Sequence, residues 1–127
     1  MIEFFKMHGL GNDFIVLDAR DSANAVPKTI SGQVAQRLAD RHFGIGCDQI
    51  LVIRPSAVAD VFMEILNSDG SYASACGNGA RCVADYVMQE SNVTMSIETA
   101  AGVLMARRDT KTGQIAVDMG PVKLNWQ

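Results

Sequence analysis

Hydrophobic and polar positions change period several times along the chain, and the changes mark its elements. Alternation is clearest where Val93, Met95 and Ile97 interleave with Thr94, Ser96 and Glu98, giving a strand with one core face and one solvent face. Short runs rich in branched residues predict strands over Glu3 to Met7, Phe14 to Asp18, Gln49 to Arg54, Val61 to Asn67, Val93 to Glu98, Gly102 to Arg107 and Gln114 to Met119. Breaks at Asp69-Gly70, Ala101-Gly102 and Thr112-Gly113 fall where hairpin turns are needed. Two stretches carry a helical period instead. Within Ile30 to His42, the apolar residues Ile30, Val34 and Leu38 recur at every fourth position, with Ser31 as N-cap. From Gly79 to about Glu90, the residues Ala80, Val83, Ala84, Val87 and Met88 fall at i, i+3, i+4, i+7 and i+8. Two helices among seven strands predict an α+β domain with a largely antiparallel sheet. Hairpin-length gaps between the later strands favour that arrangement over a βαβ alternation.

Composition narrows the class. The 127 residues, 48% of them hydrophobic, suffice for one compact domain with its own core. Fourteen acidic residues against 11 basic ones give a net charge of -3, which argues against a nucleic-acid partner. Uninterrupted apolar runs reach four residues, as at Phe14 to Leu17 and Ile50 to Ile53, whereas a membrane helix needs about 20. Glu3 and Lys6 interrupt the opening residues, so no export signal is expected there. An odd count of 3 cysteines implies free thiols in a reducing compartment. The expectation is a soluble, cytoplasmic protein with no membrane partner. Trp126 beside the last residue suggests a chain cut from something longer, because a large apolar side chain needs a surface to pack on.

The chemistry concentrates between Asn67 and Cys82. Cys76 directly precedes the second helix, whose approach reads Gly77, Asn78, Gly79. Those residues take left-handed conformations cheaply, so successive N–H groups can converge on one point. A helix start adds about half a unit of positive charge and several unpaired amides. A carboxylate is readily held at such a place, and a cysteine there is placed to react. Together they suit chemistry at the carbon next to a carboxylate. On these residues alone, a buried structural cysteine behind a glycine-rich helix entry stays open as the alternative.

Other segments say less. Asn12, flanked by glycine, reads locally as a turn former. Gly44-Ile45-Gly46-Cys47-Asp48-Gln49 lacks the third glycine and the following helix of a dinucleotide site. Cys47 and Cys82 read as small core hydrophobes. Cys82 lies about 9 Å along the helix from Cys76, too far to serve the same ligand atom. Neither the cysteine spacing nor His8 and His42 fits a zinc site, so no metal is expected. The seven methionines read mostly as core filler.

Several motifs taken together resemble the diaminopimelate epimerases over almost the whole chain. They are Lys6-Met7-His8-Gly9-Leu10-Gly11-Asn12-Asp13-Phe14, Arg41-His42-Phe43-Gly44-Ile45-Gly46-Cys47-Asp48-Gln49, Asn67-Ser68-Asp69-Gly70-Ser71, Cys76-Gly77-Asn78-Gly79-Ala80-Arg81-Cys82 and Val117-Asp118-Met119-Gly120-Pro121. The resemblance implies a fold of two similar β-rolls, each wrapping a central helix, with the site in the cleft between them. Residues 1–127 would form the N-terminal α+β half. It also implies an isomerase that interconverts LL- and meso-2,6-diaminopimelate for lysine and peptidoglycan synthesis, without pyridoxal phosphate or any other cofactor. One cysteine removes the α-proton as thiolate, and a second delivers a proton to the opposite face. By resemblance Cys76 is the proton donor in the LL-to-meso direction. The amides of Gly77 and Asn78 hold the reacting carboxylate, while Asn12, Gln49 and Asn67 contact the substrate. The second cysteine is missing from this sequence, and neither Cys47 nor Cys82 fits its role, so this half alone is expected to be inactive. It is also expected to self-associate as a homodimer that mimics the two-roll protein. Two other readings compete: a proline-type racemase or phenazine-pathway isomerase on the same fold, and a non-catalytic binding or assembly fragment.

Overall fold

The computed structural model describes residues 4–9, 11–21, 26–42, 44–74, 76–88 and 93–118. Glu3, Glu90, Met119 and the segment 119–127 with Trp126, all touched by the expectations above, lie outside them. The elements in chain order are β1 (Phe5–Gly9), β2 (Asn12–Asp18), α1 (Gly32–Ala39), β3 (Gln49–Arg54), β4 (Val61–Asn67), β5 (Tyr72–Ala73), α2 (Gly77–Met88), β6 (Thr94–Thr99), β7 (Gly102–Arg108) and β8 (Ile115–Asp118). They form one mixed sheet in the order β1-β2-β3-β4-β6-β7-β8. The short β5 shares one edge of β4 with β6: Ile65 and Leu66 pair with β5, Val61 and Phe62 with β6. The sheet curls, so that α2 touches both β1 at one edge and β8 at the other.

The α+β reading holds, with one correction of connectivity. Five of the described pairings are antiparallel, but β2 with β3 and β4 with β6 are parallel. The chain crosses over through α1 in the first case and α2 in the second, two βαβ units. The hairpin gaps that argued against them join only the later strands, whereas the connections after Asp18 and Asn67 are long enough to hold a helix.

The crossovers place the helices on opposite faces, which accounts for the unbroken apolar runs of β2 and β3. Alternate residues Phe14, Val16, Leu51, Ile53, Met63 and Ile65 pack with Ala80, Val83, Ala84 and Met88 of α2. The intervening Ile15, Leu17, Ile50, Val52 and Leu66 pack with Ala35 and Ala39 of α1 and with Cys47. A strand covered on both sides has no polar face to alternate with.

Local differences have local causes. The first helix is shorter than Ile30 to His42, and its buried residues are Ala35 and Ala39, while Val34 is about half exposed. Ile30 is buried ahead of the helix rather than in it. Leu38 packs partly buried on the same core, and the small side chains of Ala35 and Ala39 let α1 approach the sheet. Its N-cap is as expected: the Ser31 hydroxyl accepts from the Val34 N–H. The second helix begins at Gly77, two residues before the expected start, and neither Gly77 nor Gly79 is left-handed. The amides at this helix start are therefore aligned by ordinary helical backbone. β1 and β2 meet around Gly11, at φ 91°, and Asn12 is the first residue of β2, opposite Gly9, rather than a turn residue. The two-residue β5 escapes the sequence pattern because it is too short to show a period.

Candidate active site

Two anchors fix the direction of α2 across the sheet. Near its start, a Cβ on Gly79 would stand 3.1 Å from Leu51 Cδ2 and 3.4 Å from Cys76 Sγ, so the helix lies close against β3 at this point. Near its end, the Tyr86 hydroxyl donates to Asp18 Oδ2 at 3.0 Å. Asp18 is the register partner of Ile53. The helix thus runs from the Leu51 region toward the Ile53 end, and its N-terminus points toward the end of the sheet where Gln49 lies.

Cys76 caps that N-terminus. Its carbonyl accepts from the Ala80 N–H at 2.9 Å and its sulfur from the Gly79 N–H at 3.4 Å. This is the pattern of an N-cap residue, with sulfur in place of the usual oxygen. Gly77 and Asn78 follow as the first helical residues. Their N–H groups have no carbonyl one turn back within the helix, which leaves them for a ligand. A Cβ on Gly77 would meet nothing within 4 Å, so this corner is open. The Asn78 side chain is turned along the helix, its Oδ1 accepting from Arg81 Nη1 at 3.3 Å.

The sheet supplies a row of amides at the same end. Phe14 is the register partner of Gln49, and Gln49 that of Asn67. Phe14 packs on the α2 side, and strand alternation puts Asn12 on that side too. Gln49 precedes Leu51 by two residues, about 7 Å along the same face. Gln49 Nε2 donates to Asn67 Oδ1 at 2.9 Å, and Asn67 Nδ2 donates to Ser71 Oγ at 3.1 Å. Ser71 passes the chain on by donating to Asp69 Oδ1 at 2.6 Å. Its hydroxyl holds the Asp69 carboxyl below the ordinary range. The orientation of Asn67 is therefore fixed from both ends. The hold from Ser71 was not anticipated, although an Asx-type turn in Asn67-Ser68-Asp69-Gly70-Ser71 is a signal that could have shown it.

The other two cysteines stand apart. Cys47 and Cys82 are buried, and burial pushes both thiols up, Cys82 to about 11. Cys82 Sγ lies 3.8 Å from the His8 carbonyl, within the core on the α2 side. Both are core thiols, as the sequence suggested. An apolar cavity of about 410 Å³ between α1 and the sheet is lined by Ile15, Leu17, Ile30 and Leu38, on the face away from Cys76.

Curled mixed sheet and central helix together form a fold shared with a racemase and an epimerase of known structure. A probable proline racemase from Agrobacterium radiobacter K84 matches with a TM-score of 0.70 at 16% identity, over 94% of this chain and 42% of that one. A hydroxyproline epimerase from Agrobacterium vitis matches with a TM-score of 0.67 at 19% identity, over 91% and 40%. Sequence narrows the class: the diaminopimelate epimerase family model matches residues 4–125, and this chain belongs to that family. The diaminopimelate epimerase of Rhodospirillum centenum is 49% identical over 126 residues, covering 97% of this chain and 42% of its own length. That of Caldanaerobacter subterraneus is 47% identical over 117 residues, covering 90% and 40%. The chain thus spans about 40% of the length of these relatives. Among the described residues, no helix is long and apolar enough to cross a membrane.

Proposed function

We propose that residues 1–127 form the N-terminal half of a diaminopimelate epimerase, a cytoplasmic isomerase of lysine and peptidoglycan synthesis that works without pyridoxal phosphate. What supports this reading is that Cys76 caps the end of α2 that points toward the end of the sheet where Gln49 and Asn67 are paired.

The proposed reaction uses that placement. The carboxylate next to the reacting carbon binds the Gly77 and Asn78 amides, and Asn12, Gln49 and Asn67 hold the rest of the substrate. In the LL-to-meso direction, a cysteine thiolate outside this chain takes the α-proton, and the C–H electron pair moves toward the carboxylate. The charge that develops there meets fixed N–H donors and the positive end of α2, which need not reorganise as it forms. Cys76, as thiol, then gives its proton to the carbon from the opposite face and is left as thiolate. In the reverse direction the two sulfurs exchange roles.

The test is exchange of the α-proton in deuterated water with LL-diaminopimelate and the full-length protein. Wild type should form the meso product with deuterium at the inverted α-carbon, and Cys76→Ala should form no meso product, whatever exchange with retention the other cysteine still supports. Turnover retained by that variant would refute the role of Cys76. The 127-residue chain alone should show no exchange. We further propose that it associates as a homodimer through the open face around Cys76, which light scattering at several concentrations would test. A monodisperse monomer at the highest concentration would rule this out.

A further inference from the structure

Behind the amide row lies a charged cluster that touches none of the proposed substrate groups. Strand alternation turns Asp13 away from Asn12, toward the α1 side, and Lys6 of β1, opposite Ile15, faces the same way. Arg41, in the loop after α1, reaches both nearby acids. Its Nη1 and Nη2 each donate to one oxygen of Asp13 at 3.0 Å, and Nη2 also donates to Asp48 Oδ1 at 3.1 Å. The second Asp48 oxygen accepts from the Asp13 N–H at 2.9 Å, and the Asp48 N–H donates to the Asp13 carbonyl at 2.9 Å. Lys6 Nζ adds a longer contact to Asp13 at 3.6 Å. Hydrogen bonding to Arg41 holds the Asp13 carboxyl well below the usual carboxylate range.

The position of the cluster gives it a task. Asp13 follows Asn12 and Asp48 precedes Gln49, each the immediate neighbour of a proposed substrate contact. They meet where β2 and β3 come together, since the parallel ladder opens with Phe14 against Gln49. Parallel strands have no turn to fix their spacing at this end. Two carboxylates brought this close repel unless a cation stands between them. The Arg41 side chain is 54% exposed, and ion pairs in water add little to global stability. A cluster that contributes little stability yet joins the two strand ends is suited to setting geometry.

We propose that Arg41, bridging Asp13 and Asp48, is a positioning residue that sets Asn12 and Gln49 at the spacing the substrate requires. The proposal rests on the diaminopimelate reading for its substrate, and on the Asp13–Arg41–Asp48 bridge for its geometry. Its fork is essential, because one ammonium cannot engage two oxygens of Asp13 and one of Asp48 with the same fixed geometry.

The experiment uses the full-length protein carrying Cys76→Ala, which is expected to bind substrate without epimerising it. Diaminopimelate affinity is measured by calorimetry for Arg41→Gln and Arg41→Lys, each with and without Gln49→Ala. Arg41→Gln should weaken binding about tenfold while the unfolding midpoint moves by only a few degrees, and the effect should shrink to about twofold or less in the Gln49→Ala background, the sign of two residues acting through one another. Arg41→Lys should be intermediate, and serves as the variant if Arg41→Gln fails to fold. Affinity unchanged in a folded Arg41→Gln protein, or an equal loss with and without Gln49, would overturn the proposal. So would wild-type affinity in Arg41→Lys. If the protein with Arg41 intact does not bind diaminopimelate, the substrate reading fails, and the side-chain amide resonances of Asn12 and Gln49 decide whether the bridge positions them. Their displacement in Arg41→Gln upholds the proposal and their constancy overturns it.

Discussion

The two helices begin with the same device turned to different ends. Ser31-Gly32 opens α1 and Cys76-Gly77 opens α2, and in each the first of the pair caps the helix through its side chain. Ser31 Oγ accepts from the N–H three residues on at 3.2 Å, and Cys76 Sγ does the same at 3.4 Å. What stands in front of the two caps differs. A Cβ on Gly32 would lie 3.2 Å from the Gly70 carbonyl oxygen, so the turn after β4 closes the start of α1. Gln36 strengthens that closure by donating to the Asp69 carbonyl. Nothing in the described structure approaches the Cβ position of Gly77. One helix start is covered by the protein's own backbone, and the other keeps its amides open behind a sulfur. Sulfur is a weaker acceptor than a hydroxyl, so capping alone gives no reason for a cysteine here, whereas the proposed proton transfer does.

Exchanging the capping atom would separate the two roles most sharply. In the full-length protein, Cys76→Ser keeps a cap and supplies a better acceptor, but replaces the thiol by an alcohol that does not ionise near neutral pH. Epimerisation should fall about a thousandfold or more, the scale of a general acid–base group, while the unfolding midpoint stays the same or rises. Turnover assays and thermal melts on one preparation would show this. A serine variant that loses stability and activity in proportion would mean that Cys76 matters only for the fold.

Labelling tests the same contrast among thiols. Limiting iodoacetamide followed by mass spectrometry should modify Cys76 well before Cys47 and Cys82, which are buried with thiols pushed up by that burial. Cys82 should label appreciably in the folded protein only as the pH approaches about 11. Preferential labelling of Cys47 or Cys82 under native conditions would contradict the assignment.

The covered start of α1 predicts a structural effect instead. Gly70 has φ 90°, and a Cβ there would stand 2.6 Å from the Gly32 carbonyl oxygen, a backbone atom that cannot move aside cheaply. Gly70→Ala should therefore destabilise the chain by about 2–3 kcal/mol, from strain and contact together, readable as a lower urea midpoint. Little change would mean that the turn and α1 can separate without loss, and that the closure is incidental.

Much of this was legible in residue patterns, for reasons that also explain what was not. The strands at Gln49–Arg54 and Val61–Asn67 match their expected bounds because long branched runs between breakers have few other conformations. The α2 stripe from Ala80 to Met88 was visible because a helix lying in the hollow of a curled sheet needs apolar residues at each of those positions. The α1 face was read in part: Ile30 and Leu38 do join the core, but Ala35 and Ala39 make its buried contacts, and alanine carries too little hydrophobic contrast to mark a face. Parallel pairing was hidden because it is decided by residues far apart in sequence. In the site, the motif around Cys76 pointed to the cap, and the Gln49–Asn67 contact follows from strand register, which no local pattern encodes. The Arg41 bridge was in view as charged letters within two motifs. Its geometry depends on β2 and β3 lying side by side, 35 residues apart between Asp13 and Asp48.

The smallest expected effect bears most directly on the open helix start. Gly77 is helical, with open space where a side chain would be. Alanine is the better helix former by up to about 1 kcal/mol in a helix interior and by less in the first turn. Gly77→Ala should therefore stabilise the chain by about 0.5 kcal/mol, from reduced freedom of the unfolded state and no new clash. If the Gly77 amide receives the reacting carboxylate, the added methyl stands beside that carboxylate, and the full-length variant should show a raised KM despite its greater stability. The urea midpoint and the KM are measured on the same variant and should both rise, the one marking greater stability and the other weaker affinity. A Gly77→Ala protein that is more stable and binds substrate as wild type does would show that the space before α2 is empty for packing reasons alone, and the contrast between the two helix starts would lose its functional meaning.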